Sequence, residues 1–309
     1  SCQTAAMKRP WARATLPPMK EMLQAARLFF AWVGALIAGL VLLLVVFQPA
    51  HSHAQELAQE PAQAEARGTS QPAAYNLDSA ARYRDCLKFV ARDPDQAFDE
   101  AIAWRGNGGG AAARHCEALA LVELGLFGDA AIRLGDLADA PDAGGPEDRA
   151  DLLAQAGNAW LLAGSGENAV VALDAALTLT PGDPVLLADR ARAHAATGNY
   201  GAADADLSQV LALVPASADV LVLRAAARRH TGDHDAAAED ISRALSLAPE
   251  DPFALVERGA LRLARGDDAG ARADWVAVAR LVGDVDPDNP YAAALKDARK
   301  GLEALDVEK

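Results

Sequence analysis

"TGNYGAADADLSQVLALVP", residues 197–215, is followed by "TGDHDAAAEDISRALSLAP", residues 231–249, nearly the same phrase 34 residues later. A fixed interval of this size is the mark of stacked supersecondary units. Stepping by 34 brings Gly164, Gly198, Gly232 and Gly266 into register, followed by Ala169, Ala203, Ala237 and Ala271. Large apolar residues recur at Leu173, Leu207, Ile241 and Trp275, and the step closes on Pro181, Pro215 and Pro249 before the pattern relaxes at Gly283.

Each unit reads as two short helices, because apolar residues recur at three- and four-residue intervals on both sides of the Gly, as in Leu207, Val210, Leu211 and Val214. Asp183 before Pro184, and Asp251 before Pro252, suit a helix N-cap and first turn. The Gly ends the first helix in a left-handed conformation, and Asn199, Asp233 or Asp267 just after it caps the second. Pro215 and Pro249 stop that second helix.

These residues resemble the tetratricopeptide repeat family, whose 34-residue helix-turn-helix unit carries this Gly, small Ala and terminal Pro. The resemblance covers about residues 150–285 well, and it implies an all-α fold, a right-handed α-solenoid of stacked hairpins. Gly157 and Gly259 stand where the family favours a small residue, and Trp160 where it favours a large aromatic; His194 and Arg228 replace that aromatic in the middle repeats. A second regularity belongs to this chain. Arg190, Arg224 and Arg258 each precede an acid, Asp206, Asp240 and Asp274, by 16 residues. The spacing predicts an ion pair between the helices of each hairpin, structural rather than catalytic, since evenly spaced pairs do not converge.

Upstream the phase loosens. Residues 113–140 keep the form at Gly125, Ala130 and Ala131, with an insertion of about five residues before the next unit, and residues 77–110 form another helical pair broken at Asp93 and Pro94. The expected organisation is degenerate repeats over 76–145, four repeats over 146–285 and a charged capping helix over 286–309.

Before the array lies a 20-residue apolar run, residues 28–47, preceded by Lys8, Arg9, Arg13, Lys20 and Arg27. Residues 1–54 are therefore a secretory signal or a membrane anchor. Ser52 and Ala54 favour cleavage after Ala54, and Met7, Met19 and Met22 are all candidate starts. Either reading puts the repeats outside the cytoplasm, periplasmic or anchored in the inner membrane, because the basic flank stays inside. Residues 55–75, rich in Gln, Ala and Pro, form a flexible leader. In this compartment Cys86 and Cys116, on the first helices of adjacent repeats, are expected to form a disulfide.

The chain has 29 Lys and Arg against 43 Asp and Glu. Removing residues 1–54, with five basic and one acidic residue, leaves 24 against 42, a net charge of −18. So acidic a protein repels nucleic acid and anionic lipid, which leaves the membrane to the N-terminal segment alone.

The sequence calls for no cofactor or metal. Asp284, Asp286 and Asp288 alternate like a calcium loop, but Asn289 and Leu295 stand where Gly and a bidentate Glu are needed. His230 and His234 flank the helix-ending Gly232 and read as a solvated turn. G-x-S-x-G, phosphate-loop and CxxC motifs are absent, so no residue is named for catalysis. The alternative, an enzyme or enzyme subunit, has no recognisable site. The resemblance implies instead a protein-binding scaffold whose first helices line a concave face holding a peptide or partner protein. By phase that face carries Asn158, Arg192, Arg229 and Phe253, with Val222, Val256 and Leu263 between them. Arg192 and Arg229 are expected to stand as isolated positive charges and Phe253 as an apolar anchor, a combination suited to an extended segment with acidic and apolar side chains. The family's clamp for a terminal carboxylate needs repeated Asn and Lys on this face, and only Asn158 matches.

Overall fold

A computed structural model of the chain describes residues 77–283 and 289–307. The signal or anchor over 1–54, the leader over 55–75 and the triplet Asp284, Asp286 and Asp288 lie outside the described residues. Those described form thirteen helices and, among them, no strand. Two irregular hairpins come first, α1 (Leu77–Val90) with α2 (Pro94–Gly106) and α3 (Gly110–Glu123) with α4 (Phe127–Ala138). The regular hairpins follow: α5 (Pro146–Leu162) with α6 (Gly166–Leu179), α7 (Pro184–Ala196) with α8 (Tyr200–Leu213), α9 (Ala218–Thr231) with α10 (His234–Leu247), and α11 (Pro252–Ala264) with α12 (Asp268–Val282). Helix α13 (Ala292–Val307) ends the array. No described helix is long and apolar enough to cross a membrane.

The punctuation works as its chemistry requires. The Asp183 carboxylate accepts from the N–H groups of Val185 and Leu186, and Asp251 does the same for Phe253 and Ala254, with Pro at the first helical position in both. Asn199, Asp233 and Asp267 cap the second helices by accepting from Ala202, Ala236 and Gly270. Such caps contribute about 1 kcal/mol each. Between the helices of each regular hairpin the column Gly164, Gly198, Gly232, Gly266 has φ of +76°, +79°, +85° and +79°, the region in which a Cβ would be strained.

Two buried columns run four residues apart on the second helices. Ala169, Ala203, Ala237 and Ala271 are 0–1% exposed, and Leu173, Leu207, Ile241 and Trp275 are 0–3% exposed. The large side chains need small partners sixteen residues earlier. A Cβ on Gly157 would lie 2.7 Å from Leu173 Cγ, and one on Gly259 would lie 2.5 Å from Trp275 Nε1. Ala191 and Ala225 fill the same column where the facing residue is Leu207 or Ile241. Trp275 thus fills the last hairpin and presses against Gly301 of α13, while its indole N–H donates to the Val256 carbonyl at 3.3 Å.

The expected ion pairs form inside the last three hairpins, α7–α8, α9–α10 and α11–α12. Arg190 donates through Nε and Nη2 to both carboxylate oxygens of Asp206, and Arg224 repeats this two-pronged contact on Asp240, all at 2.7–2.9 Å. Arg258 pairs with Asp274 in the same way. The three acids are 1–3% exposed, so each is a buried charge held by a planar guanidinium. The residues replacing the family's aromatic join in: Arg228 Nη1 donates to Asp240 at 2.8 Å, Arg262 Nη1 to Asp274 at 2.7 Å, and His194 Nε2 lies 4.0 Å from Asp206.

The irregular end uses other devices. Cys86 of α1 and Cys116 of α3 sit side by side, Cα atoms 6.3 Å apart and sulfurs joined, in a small cluster with Ala101, Tyr83 and Val90. The insertion after α4 is tied down by Arg114, which bonds Asp142, and by Arg149, whose guanidinium donates to the carbonyls of Ala138, Ala140 and Gly144.

Candidate functional site: the row of first helices

Stacking hairpins sets α1, α3, α5, α7, α9 and α11 side by side. Three polar clusters stitch neighbours in this row together. Tyr83 of α1 meets His115 Nδ1 of α3 at 2.5 Å, and His115 Nε2 meets Gln155 Oε1 of α5 at 2.7 Å. With the Gln155 amide oxygen turned toward the ring, the tautomer that satisfies both contacts carries its proton on Nε2 and accepts at Nδ1 from the Tyr83 hydroxyl. Burial depresses the His115 pKa, partly opposed by the Gln155 hydrogen bond, and burial raises that of Tyr83. Beside these three lies a cavity of about 300 Å³, with Leu137 and Leu152 among its walls and Asp148 and Asp151 on its lining.

The second cluster crosses from α5 to α7. Asn158 Nδ2 donates to Asp189 at 2.9 Å, and Arg192 Nη1 donates to the other Asp189 oxygen at 2.5 Å. The third crosses from α9 to α11, where Arg229 donates to both oxygens of Glu257, a carboxylate only 0% exposed.

Arg192 and Arg229 are therefore not isolated positive charges, as their positions in the sequence suggested. Each is neutralised by an acid on the same row, Asp189 or Glu257. Asp189 stands only three residues before Arg192 on the same helix, a spacing within reach of the sequence, whereas Glu257 stands 28 residues after Arg229 on the next first helix. The available signal was that any separation a little under one repeat joins neighbouring first helices. Phe253 is part-buried rather than free, its ring centroid 6.1 Å from that of Tyr291, and packs with Leu255, Val256 and Leu263. Val185 holds the same phase two repeats earlier and is 65% exposed. His230 is stacked on Tyr200 at 4.1 Å, within 5° of parallel, and burial and Arg229 lower its pKa. His234 opens α10.

A solved tetratricopeptide repeat protein from Parabacteroides merdae superposes with a TM-score of 0.59 at 16% identity, over 74% of this chain and 93% of that one. The fold is that of tetratricopeptide repeat proteins. Two further structures are similar over shorter stretches. MamA from Desulfovibrio magneticus, from residue 41 to its end, matches with a TM-score of 0.48 at 21% identity, over 55% of this chain and 94% of that one. The first repeat domain of Spaghetti (RPAP3), bound to the HSP90 peptide SRMEEVD, matches with a TM-score of 0.37 at 25% identity, over 39% and 95%. No family profile and no curated protein matches the chain. In the tetratricopeptide array described here, the polar groups of the first-helix row are bonded pairwise along the row rather than gathered at one point.

Proposed function

We propose that the chain is a non-catalytic protein-interaction scaffold of the cell envelope, holding a peptide or partner protein along its row of first helices. The observation that carries this reading is the stitched row itself. Its cross-repeat bonds tie α1 to α3, α3 to α5, α5 to α7 and α9 to α11, and a surface held rigid before binding loses little entropy when a partner settles on it. Asn158, Arg192, Arg229 and Phe253 remain the proposed contacts. The two arginines now act as hydrogen-bonding heads of neutral pairs, and Val185 adds an exposed apolar foothold. Export rests on the basic flank and apolar run of residues 1–54.

Capture from periplasmic extract tests the reading, with Val185→Glu as the control. That side chain is exposed, so the substitution spares the fold, and loss of one defined partner is the expected result. Equal capture by a folded variant moves the binding surface elsewhere. An alkaline phosphatase fusion after residue 76 tests export, and inactivity of the exported reporter with activity of a cytoplasmic one counts against it.

The alternative, an enzyme or enzyme subunit, starts from one place, the Tyr83–His115–Gln155 chain beside its cavity. It predicts turnover of a captured molecule that His115→Gln abolishes.

A further inference from the structure

At each boundary between regular repeats a second helix meets the first helix of the next hairpin, and the arginines there look across at the preceding helix. Between α6 and α7, Arg190 Nη1 donates to Asp174 at 2.7 Å. Between α8 and α9, Arg224 Nη1 donates to the Ser208 hydroxyl at 3.1 Å and Arg228 Nε to Asp204 at 2.8 Å. Both boundaries thus carry a carboxylate of the chain itself. One step further the acids at these two positions are missing, and the carboxylate of α10 that crosses the boundary, Asp235, bonds Arg265 instead. Ser242 stands where Asp174 and Ser208 stood, and Ala238 replaces Asp204, while Arg258 and Arg262 keep the basic positions.

The consequence is a cleft of about 320 Å³ between α10 and α11, lined by Ser242, Arg258, Arg262 and Arg265 and walled by Ile241, Leu245 and Leu261. Arg258 and Arg262 share the buried Asp274 on their far side, Arg262 also donates through Nη1 to the Gly270 carbonyl at 3.2 Å with Nε 3.9 Å from Asp267, and Arg265 bonds Asp235, whose side chain is fully exposed at the rim. Both arginine side chains are 36% exposed, against 11% and 20% for Arg224 and Arg228 one boundary earlier. A guanidinium already holding one carboxylate has further N–H donors in its plane, and the two preceding boundaries show where they are directed.

We propose that the cleft between α10 and α11 is a second docking site, which takes an acidic side chain of a partner protein where the two preceding boundaries use a carboxylate of this chain. The apolar walls accept the aliphatic stem of a glutamate or a neighbouring leucine. The cleft lies where α11 meets α10, whereas the row's Arg229–Glu257 contact lies where α11 meets α9, so either can fail without the other. The net charge of −14 repels acidic polymers in general, so the local arginine pair has to supply the attraction and binding weakens as salt rises.

The test titrates the full chain into a labelled peptide of alternating glutamate and leucine and reads fluorescence anisotropy at low salt. Saturable binding is expected, with none to the same peptide carrying lysine for glutamate. Ala238→Asp rebuilds the internal acid opposite Arg262, and Ser242→Asp rebuilds it opposite Arg258. Each should weaken the peptide at least tenfold without lowering the melting temperature. Val185→Glu should leave peptide binding unchanged. The proposal is overturned if the wild-type chain does not bind, if both aspartate variants fold and bind as it does, or if Val185→Glu abolishes binding.

Discussion

Asp240 shows how much one side chain holds in this molecule. It is 1% exposed and accepts three hydrogen bonds, two from Arg224 and one from Arg228, which reaches back to Asp204 in the preceding hairpin. Removing one partner of a buried ion pair leaves the other charge desolvated, which costs about 3–5 kcal/mol. Asp240→Ala should therefore lower the stability measured by urea unfolding by that amount, whereas Asp183→Ala, the loss of a half-buried cap, should cost about 1 kcal/mol. Equal, small losses at both positions would show that the pairs are ornamental. The Arg–Asp pairs were legible in the sequence because they recur three times at one separation. Asp189 and Glu257 share a column two repeats apart, but Leu223 interrupts it and their arginine partners stand at different offsets, three residues after Asp189 and 28 before Glu257. A lone arginine in a sequence gives no sign of whether its charge is free or matched by an acid a repeat away.

Among the elements, the regular hairpins were legible down to their caps, because Asp-Pro starts, left-handed Gly and terminal Pro each have a local cause. The upstream hairpins were harder to read, since the insertion after α4 shifts the phase and hides a relationship there. Glu117 precedes Gly125 by eight residues, as Arg190 precedes Gly198, and Arg133 follows it by eight, as Asp206 does. The pair is the same with its charges exchanged. Arg133 Nε lies 3.4 Å from Glu117, and Arg105 of α2 donates to its other oxygen at 2.7 Å. A search for Arg followed by Asp passes over it.

Two predictions belong to this end of the array. The Cys86–Cys116 bridge closes a loop of 30 residues, so Cys86→Ser with Cys116→Ser should destabilise α1–α3 by about 2–4 kcal/mol, chiefly by freeing the unfolded chain. Thiol titration of denatured, unreduced protein should find neither cysteine reactive; two reactive thiols would remove the bridge. The second concerns pH. Burial holds the His115 pKa below its ordinary 6.5, so the unfolded chain binds more protons below that pH. Stability should fall as pH drops through about 6.5 and below, and His230, depressed in the same direction, adds to the slope. His115→Gln should flatten the dependence, though His230 keeps part of it. An unchanged slope would place His115 in a solvated setting.

Over the whole molecule the repeat decides what the side chains can do. Successive hairpins present one helix each to the same row, so groups on that row meet their neighbours in pairs and make a long surface instead of a focused centre. The matched pairs within the row remove most of its own charge. On the proposed reading, specificity rests on shape, on exposed apolar points such as Val185, and on the arginine cleft between α10 and α11. The architecture was legible from two repeated phrases. The neutralised row was not, because it depends on contacts between repeats that no column of identical residues records. The most direct measurement is photo-crosslinking in the living host, with the reactive residue placed at Val185 on the row or at Val171 on α6, 65% and 68% exposed respectively. A discrete adduct from position 185 and none from 171 is the predicted result; adducts from 171 with none from the row would contradict it.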